Sequence, residues 1–315
     1  MLPAGLRRPR DRPRHRRRRP RPSRGLSRAR AHWRREQLRV PRPRRPAARR
    51  GGRRPARDRR RRAALRAVLP VDSDGAVHLG ADVHGLLLDI DGVLSDHRTA
   101  ADAAVFSWAS ALPGWSLAPA ETAELWERLD RKHFLRYQHG ELTFNGQLLA
   151  RVRDFVPGGA DLDDAGAQAR IDEYYDHYRA RLVPYEDVAG FIARLRDAVA
   201  RRADAGERLA VAYVTNGDED SQRTKLDAVG ALVGDWPLIA SAQAGASKPD
   251  PRIFALACER LGTGAGETVM VGDDPWSDVD GATGAGLRSV HLRRSASAPG
   301  RPVATIGTLA RLVID

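Results

Sequence analysis

Short apolar runs alternate with amphipathic segments along the chain from His84 onward. Most of these runs are apolar on both faces, as strands are when they lie buried in a parallel sheet. Strands that alternate with helices in this way predict an α/β fold with a largely parallel sheet. The predicted strands are Leu86–Ile90, Leu209–Val214, Leu238–Ala240, Thr268–Val271 and Arg288–Leu292.

Helical periodicity occupies most of the intervals between the predicted strands. A proline fits the first turn of a helix, where its missing N–H would have no partner, and Pro251 has that position. The helices predicted in this part are Glu186–Arg202, Ser221–Val229, Pro251–Leu261 and Ser277–Ala285.

One long interval, between Asp96 and Pro184, has no predicted strand. Its amphipathic stretches are typical of helices. We therefore expect residues 97–184 to form a helical lid or second domain, inserted into an α/β core made of residues 84–96 and 185–315. The stretches are Ala120–Gln138, Phe144–Phe155 and Ala165–Arg181.

Single residues support these helices. Gly140 fits the position just after the first helix of the interval, and Thr143 fits the N-cap of the second. Trp126, Leu129 and His133 share one face of the first helix. Packing against neighbouring helices explains that face better than contact with a substrate does.

Charge divides the chain into two unlike parts. Residues 1–70 contain 29 arginines and three acidic residues, whereas residues 71–315 contain 25 basic and 37 acidic side chains, so the net charge of +14 is an average. The first part is rich in proline and almost free of aromatic residues. It cannot bury enough apolar surface to offset its chain entropy, and residues 1–75 are predicted to be disordered.

Three interpretations of this arginine-rich segment stay open. It could bind nucleic acid through phosphate contacts and counterion release. It could be upstream sequence, read from a start assigned too early, because no methionine lies between Met1 and Met270. We favour this second interpretation, with a valine such as Val71 as the initiator. A targeting role comes third, since no apolar stretch of the required length follows and nothing approaches a membrane span. Residence in the cytoplasm, away from membranes, is the expectation.

Cys258 is the one cysteine of the chain, which excludes an intramolecular disulfide and a metal site built on several cysteines. It lies in a helical apolar pattern, so we expect it in the core.

Polar and charged groups follow the predicted strands at their carboxyl ends. In an open parallel sheet, ligands bind in the crevice at that edge, so these groups are expected to meet in one pocket. Two carboxylates at the mouth of an apolar strand also need a cation, protons or hydrogen bonds to be tolerated. The groups are Asp89 and Asp91; Thr215, Asn216 and Gly217; Lys248; and Asp273, Asp274 and Asp278.

In this order, the segments resemble the four motifs of the haloacid dehalogenase-like superfamily, in the subfamily with a helical cap between the first and second motifs. The likeness covers about residues 84–293, roughly two thirds of the chain, and includes Gln222 and Lys225 after the second motif. It implies a Rossmann-like parallel sheet with an inserted α-helical cap. The four segments are Asp89-Ile90-Asp91-Gly92-Val93, Thr215-Asn216-Gly217, Lys248-Pro249, and Gly272-Asp273 with Asp278.

The resemblance implies a phosphatase that acts on a small phosphorylated metabolite. Asp91 stands where phosphatases and phosphomutases of the superfamily carry an aspartate and where members that cleave carbon–halogen bonds lack one. A departing alkoxide needs a proton, whereas a departing halide does not. Asp89 would then be the nucleophile that forms an aspartyl-phosphate, with Asp91 as acid and base and Lys248 as the catalytic cation.

The resemblance also implies a Mg²⁺ site. Its expected ligands are all oxygen: the Asp89 carboxylate, the backbone carbonyl of Asp91, and Asp273. Asp274 and Asp278 would lie next to these ligands and orient water. The phosphate-binding residues implied are Thr215, the amide of Asn216, and Lys248.

Two other functions stay open. A phosphomutase of the sugar-phosphate type uses the same motifs but returns the phosphoryl group to a sugar. From another class, the arginine-rich arm could make the chain a nucleic-acid-binding protein. No residue of the predicted cap selects a substrate; Arg131, Lys132, Arg136 and Tyr137 are its polar candidates, and solvent exposure explains them equally well.

Overall fold

The protein is described here by a computed structural model that covers residues 69–295 and 301–315. Six strands form one sheet in the order β4-β3-β2-β5-β6-β7, and each neighbouring pair is parallel. Strands β1 and β8 pair in a separate parallel ribbon. The predicted α/β class with a parallel sheet is confirmed. The strands are β1 (Val77–Leu79), β2 (Gly85–Leu88), β3 (Ala210–Thr215), β4 (Leu238–Ala240), β5 (Thr268–Gly272), β6 (Arg288–Leu292), β7 (Ala304–Ile306) and β8 (Leu312–Ile314).

Helices connect the strands of the main sheet and cover its faces. They are α1 (His97–Ala109), α2 (Pro119–Gln138), α3 (Phe144–Phe155), α4 (Asp164–Arg179), α5 (Val188–Asp204), α6 (Glu219–Ala228), α7 (Ser241–Ala244), α8 (Pro251–Leu261) and α9 (Gly281–Gly284). Short 3₁₀ turns occur at Gly159–Asp161, Ala265–Glu267 and Leu309–Arg311, and a π-helical turn occurs at Pro275–Asp280. Among the helices of the described residues, none is long and apolar enough to cross a membrane.

Alternate residues of each central strand enter different cores. In β2, Leu86 and Leu88 pack with the buried face of α5, whereas Leu87 packs with α8 on the other face of the sheet. The side-chain period of two along a strand produces this division. Cys258 is buried in the α8 core, as expected.

Four helices, α1 to α4, lie between β2 and β3 and share a core of their own. The aromatic side chains there pack edge to face or stacked, which adds to the free energy gained by burial. Trp108 lies 5.7 Å from Trp126 and 5.4 Å from Phe155, measured between ring centroids. Trp126 and Leu129 belong to this core, so the predicted packing role of their helix face is confirmed. The Thr143 hydroxyl accepts from the Gly146 N–H at the start of α3, and Gly140 follows α2 with a φ of +74°.

Several element boundaries differ from the prediction. Strand β2 ends at Leu88 rather than at Ile90. The helix predicted over Ser277–Ala285 is instead a π-helical turn followed by the short α9. The Val279 N–H donates to the carbonyl of Asp274, five residues earlier, as in a π-helix. Helix α1 was not predicted, since its alanine-rich sequence gives little contrast between faces. Strands β1, β7 and β8, of three residues each, were not predicted.

The amino-terminal boundary also differs. The disordered segment predicted for residues 1–75 lies outside the described residues as far as residue 68. Leu69, however, is buried in the main core, and Val71 forms a bridge with Val77. Folded chain therefore includes residues from Leu69 onward, because the Leu69 side chain packs into the main core.

Arg202 should be a major contributor to stability. Its guanidinium is buried and donates to the carbonyls of Val83, Leu79, Gly80 and Asp315, joining α5 to the β1–β2 connection and to the last strand. Arg202→Met should lower the free energy of unfolding by about 3 kcal/mol, because it removes four hydrogen bonds and takes the guanidinium donor from the Val83 and Asp315 carbonyls. Urea denaturation measures the change.

The matched control is its neighbour Arg201, whose exposed guanidinium has one long bond, 3.3 Å, to the Ile314 carbonyl. Arg201→Met should change the free energy of unfolding by less than about 0.5 kcal/mol. Equal effects of the two substitutions would contradict the assignment.

Candidate active site

Lys248 lies at the centre of the loops that follow the strands. Its Nζ is 2.7 Å from Asp89 Oδ1 and 2.7 Å from Asp278 Oδ1, and its side chain is 2% exposed. Asp89 follows β2 directly, while Asp278 lies in the π-helical turn after β5. Three separate segments therefore meet around one buried ammonium group.

Asp89, Asp273 and Asp278 form a compact group of carboxylates. Each offers an oxygen, and these oxygens all lie within 4.8 Å of one another. Burial, with the charge of Asp278, raises the pKa of Asp89 to about 7, although Lys248 acts in the opposite direction. Burial and the charges of Asp89 and Asp278 also raise the pKa of Asp273 well above its usual value. One ammonium does not balance three carboxylates, so the group could hold a metal ion, and an all-oxygen donor set fits a hard divalent cation.

The cluster differs from the predicted ligand set in one residue. Asp278 was expected beside the ligands, but its carboxylate lies within the group. The side chain of Asp91 turns away toward Lys225, which leaves the backbone carbonyl as the group by which Asp91 was predicted to bind the metal.

Gly92 allows the first motif to approach Asp273. Its φ is +80°, in the left-handed region, and a Cβ there would overlap the Asp273 carboxylate. Glycine is the residue that accepts both conditions. The turn directs the chain out of β2 and past the acidic cluster.

Asp274 caps the turn that follows β5, and its predicted position beside the metal ligands stays a prediction. Its Oδ1 accepts from the N–H groups of Trp276 and Ser277 at 2.9 and 2.6 Å, so it caps the π-helical turn. Its own N–H donates to Asp278 Oδ2. Asp274 thus holds Asp278 in place through the backbone, and its carboxylate is not part of the cluster.

Asn216 connects the second and third motifs. Its side-chain amide donates to the Lys248 carbonyl at 2.9 Å, and its Oδ1 accepts from the Lys248 N–H at 2.7 Å. This pair of bonds fixes the backbone on which the buried ammonium is carried. Thr215, at the end of β3, is buried beside it.

Asp91 is held by side chains that the motif prediction did not assign. Lys225 Nζ is 2.6 and 2.8 Å from its two oxygens, Gln222 Nε2 is 3.4 Å from Oδ2, and His97 Nδ1 is 3.6 Å from Oδ1. Burial alone would raise the pKa of Asp91, but Lys225, His97 and Gln222 outweigh it and hold the pKa well below its usual value. A sequence signal was present, because positions 222 and 225 share one face of a helix.

A cavity of about 330 Å³ opens beside Asp91 and extends between α6 and helices α1 to α4. Its wall combines aromatic and charged side chains, among them Tyr175 and the buried Arg151, which pairs with Asp130 and lies 4.3 Å from the Trp126 ring. The inserted helices contact the core beside it through Gln138 Nε2, which donates to the Lys248 carbonyl.

The polar candidates named from the sequence do not line this cavity. Lys132 pairs with Asp154, and Arg136 pairs with Glu141. Tyr137 reaches Ser241 Oγ at 3.4 Å, a contact between α2 and the core. Helical periodicity predicted the positions of these helices. It did not predict which face of each helix contacts the α/β core.

The fold and the site together define an α/β protein with a buried acidic cluster at the carboxyl edge of its sheet. The chain belongs to the haloacid dehalogenase-like hydrolases, whose family model matches residues 83–286.

Known proteins with similar sequences include two phosphatases. The chain is 37% identical over 137 residues to the phosphoserine phosphatase of Thermus thermophilus. This aligned segment is 42% of this chain and 51% of that protein. It is 35% identical over 136 residues to the glyceraldehyde 3-phosphate phosphatase of Methanopyrus kandleri. That aligned segment is 43% of this chain and 54% of that protein. The chain thus spans about half the length of these relatives.

Solved structures support the fold. The HAD-hydrolase YfnB from Bacillus subtilis, bound to magnesium, aligns with a TM-score of 0.59 and 18% sequence identity over 72% of this chain and 96% of that one.

Substitution of Gly92 tests the close packing of the first motif against Asp273. Gly92→Ala should lower the free energy of unfolding by about 1–2 kcal/mol for the left-handed φ and by a further ~1–3 kcal/mol for the overlap. Gly114 is the matched control, because its φ is +78° and a Cβ there would meet nothing within 4 Å. Gly114→Ala should show only the first of these two losses in urea denaturation, and equal losses would mean that Asp273 is free to move.

Proposed function

We propose that the protein is a Mg²⁺-dependent phosphomonoester hydrolase that acts on a small phosphorylated metabolite through an aspartyl-phosphate intermediate. The observation that carries this proposal is the buried Lys248 ammonium between Asp89 and Asp278, with Asp91 two residues further along the same turn. A buried cation beside a carboxylate nucleophile can stabilise the negative charge of a phosphoryl group. The phosphatase relatives support the same reaction class.

In the first step, Asp89 attacks phosphorus in line with the leaving oxygen. An Asp89–phosphorus bond forms, the ester P–O bond breaks, and Asp91 as the acid gives its proton to the departing oxygen. The Lys248 ammonium, the Thr215 hydroxyl and the Asn216 backbone N–H would bind the phosphoryl oxygens. The Asn216 side chain serves the Lys248 loop instead.

In the second step, water attacks the aspartyl-phosphate. Asp91, now a carboxylate, takes a proton from that water, the acyl–phosphate bond breaks, and inorganic phosphate leaves. Asp89 is regenerated, and the two steps together consume one ester and one water.

The carboxylates of Asp89, Asp273 and Asp278 and the backbone carbonyl of Asp91 fit a Mg²⁺ ion, since every donor is oxygen and the buried group carries excess negative charge. When bound, the ion would neutralise the nucleophile and the phosphoryl oxygens. Asp274 would act by holding Asp278 through its backbone N–H.

The leaving group would occupy the cavity beside Asp91, under a cap formed by residues 97–184. A volume of about 330 Å³ suits a small metabolite. Cap helices that contact the core beside the site can exclude water during the reaction. A cytoplasmic location remains our expectation.

Asp89→Asn should abolish release of inorganic phosphate from p-nitrophenyl phosphate, because the amide is not a nucleophile, while thermal melting shows a folded protein. Asp197→Asn, on the exposed face of α5, is the matched control and should keep full activity. Turnover retained by Asp89→Asn refutes the nucleophile.

Removal of divalent ions gives a separate prediction. Treatment with EDTA should reduce phosphate release to background, and added Mg²⁺ should restore it, because the unneutralised carboxylates repel a dianionic substrate. Activity that persists in EDTA would remove the metal from the mechanism.

The product distinguishes the rival reaction. With sugar phosphates as substrates, a hydrolase accumulates inorganic phosphate, whereas a phosphomutase accumulates an isomeric sugar phosphate. The second result would replace the hydrolase by the mutase.

A further inference from the structure

Lys225 is a buried cation outside the acidic cluster. Its side chain is 7% exposed, and its Nζ contacts both oxygens of Asp91. It comes from α6, an element that carries neither motif aspartate. From the other side, the Tyr178 ring of α4 lies 5.4 Å from the same Nζ.

These contacts fix the orientation of the Asp91 side chain. A carboxylate bound at both oxygens cannot rotate without breaking an ion pair, and the Gln222 amide adds a third bond from one turn earlier on α6. His97 Nδ1, which contacts Tyr178 Oη at 2.6 Å, closes the remaining side. The carboxyl group therefore has a defined direction beside the cavity in which the leaving group would lie.

We propose that Lys225 is a positioning residue that, together with Gln222, directs the Asp91 carboxyl group at the leaving oxygen of the substrate. The inference rests on the proposed function, because it assigns a role within the same reaction. Lys225 itself exchanges no proton and forms no bond with phosphorus.

The leaving group separates positioning from a general structural role. When the ester P–O bond of an alkyl phosphate breaks, the departing alkoxide must receive the Asp91 proton. p-Nitrophenolate is stable as an anion and leaves without one. Hydrolysis of the aspartyl-phosphate, in which Asp91 is the base, is common to both substrates, whereas kcat/KM reports the first step. Misdirection of Asp91 should therefore lower kcat/KM far more for the alkyl substrate than for the aryl substrate, whereas a general loss of structure lowers it equally for both.

The experiment compares Lys225→Met with the wild type on glycerol phosphate and on p-nitrophenyl phosphate, with Mg²⁺ present. A misplaced catalytic group costs on the order of 10²-fold in rate, so kcat/KM for glycerol phosphate should fall by about that factor, with little change in kcat/KM for the aryl ester. Lys225→Arg should restore part of the loss, because a guanidinium can also bind both oxygens. Arg223→Met is the matched control: Arg223 lies on the same helix, is exposed and pairs with Glu219, so both rates should be kept.

Gln222→Leu is a second variant in case Lys225→Met does not fold. Gln222→Leu should also slow glycerol phosphate more than p-nitrophenyl phosphate, but to a smaller degree, because Gln222 makes a single bond of 3.4 Å to Asp91. In an Asp91→Asn background, Lys225→Met should cause no further loss on glycerol phosphate.

Equal losses of kcat/KM on both substrates, no loss on either, or an additive loss in the Asp91→Asn background would each overturn the positioning role while leaving the hydrolase in place. A wild type that hydrolyses neither ester overturns the proposed function itself, and this inference with it.

Discussion

The ion pairs between Lys248 and the carboxylates of Asp89 and Asp278 are the interactions on which the rest of the site depends. A buried ammonium group without partners costs several kcal/mol, and so does each buried carboxylate. The three segments that carry them can pack at one place only because the charges offset one another. The charges do not balance fully, because Asp273 adds a third carboxylate. One of its oxygens lies within 4.8 Å of an oxygen of Asp89 and of Asp278. This excess of negative charge is what would let the site hold the proposed divalent cation.

Local sequence predicted five of the six strands of the main sheet because these strands are buried on both faces and their apolar runs are plain. Strand β6 and helices α3 and α8 have the predicted bounds. The strand ends also predicted which residues would meet, since parallel strands deliver their carboxyl ends to one edge. Lys248, in a Lys-Pro pair that is commonly an exposed loop, could be assigned to the site only through the order of the motifs.

What local sequence could not give were contacts that depend on tertiary packing. Asp274, Asp278 and Asn216 are polar residues in turns, and nothing in their neighbours distinguishes a cap, a cluster member and a loop clamp. The structure makes Asp274 the cap, Asp278 a member of the cluster, and Asn216 the clamp on the Lys248 backbone. Lys225 was visible as part of a resemblance, but its contact with Asp91 spans 134 positions of the chain. Such a contact follows from how α6 packs against the first motif.

The two aspartates of the first motif are bound by different lysines, with opposite results. Lys248 divides its charge between two carboxylates, and burial leaves the pKa of Asp89 raised to about 7, so a further positive charge nearby would favour the ionised nucleophile. Lys225 serves Asp91 alone and holds its pKa below the usual value. An ionised Asp91 suits the base of the proposed second step. For the first step it needs a proton, and a phosphoryl dianion beside it would raise its pKa. The second ionisation of a phosphate ester lies at about pH 6, so a substrate that arrives as the monoanion brings that proton with it. Lys225 and Asp91 together thus couple the protonation of the acid to the arrival of its substrate.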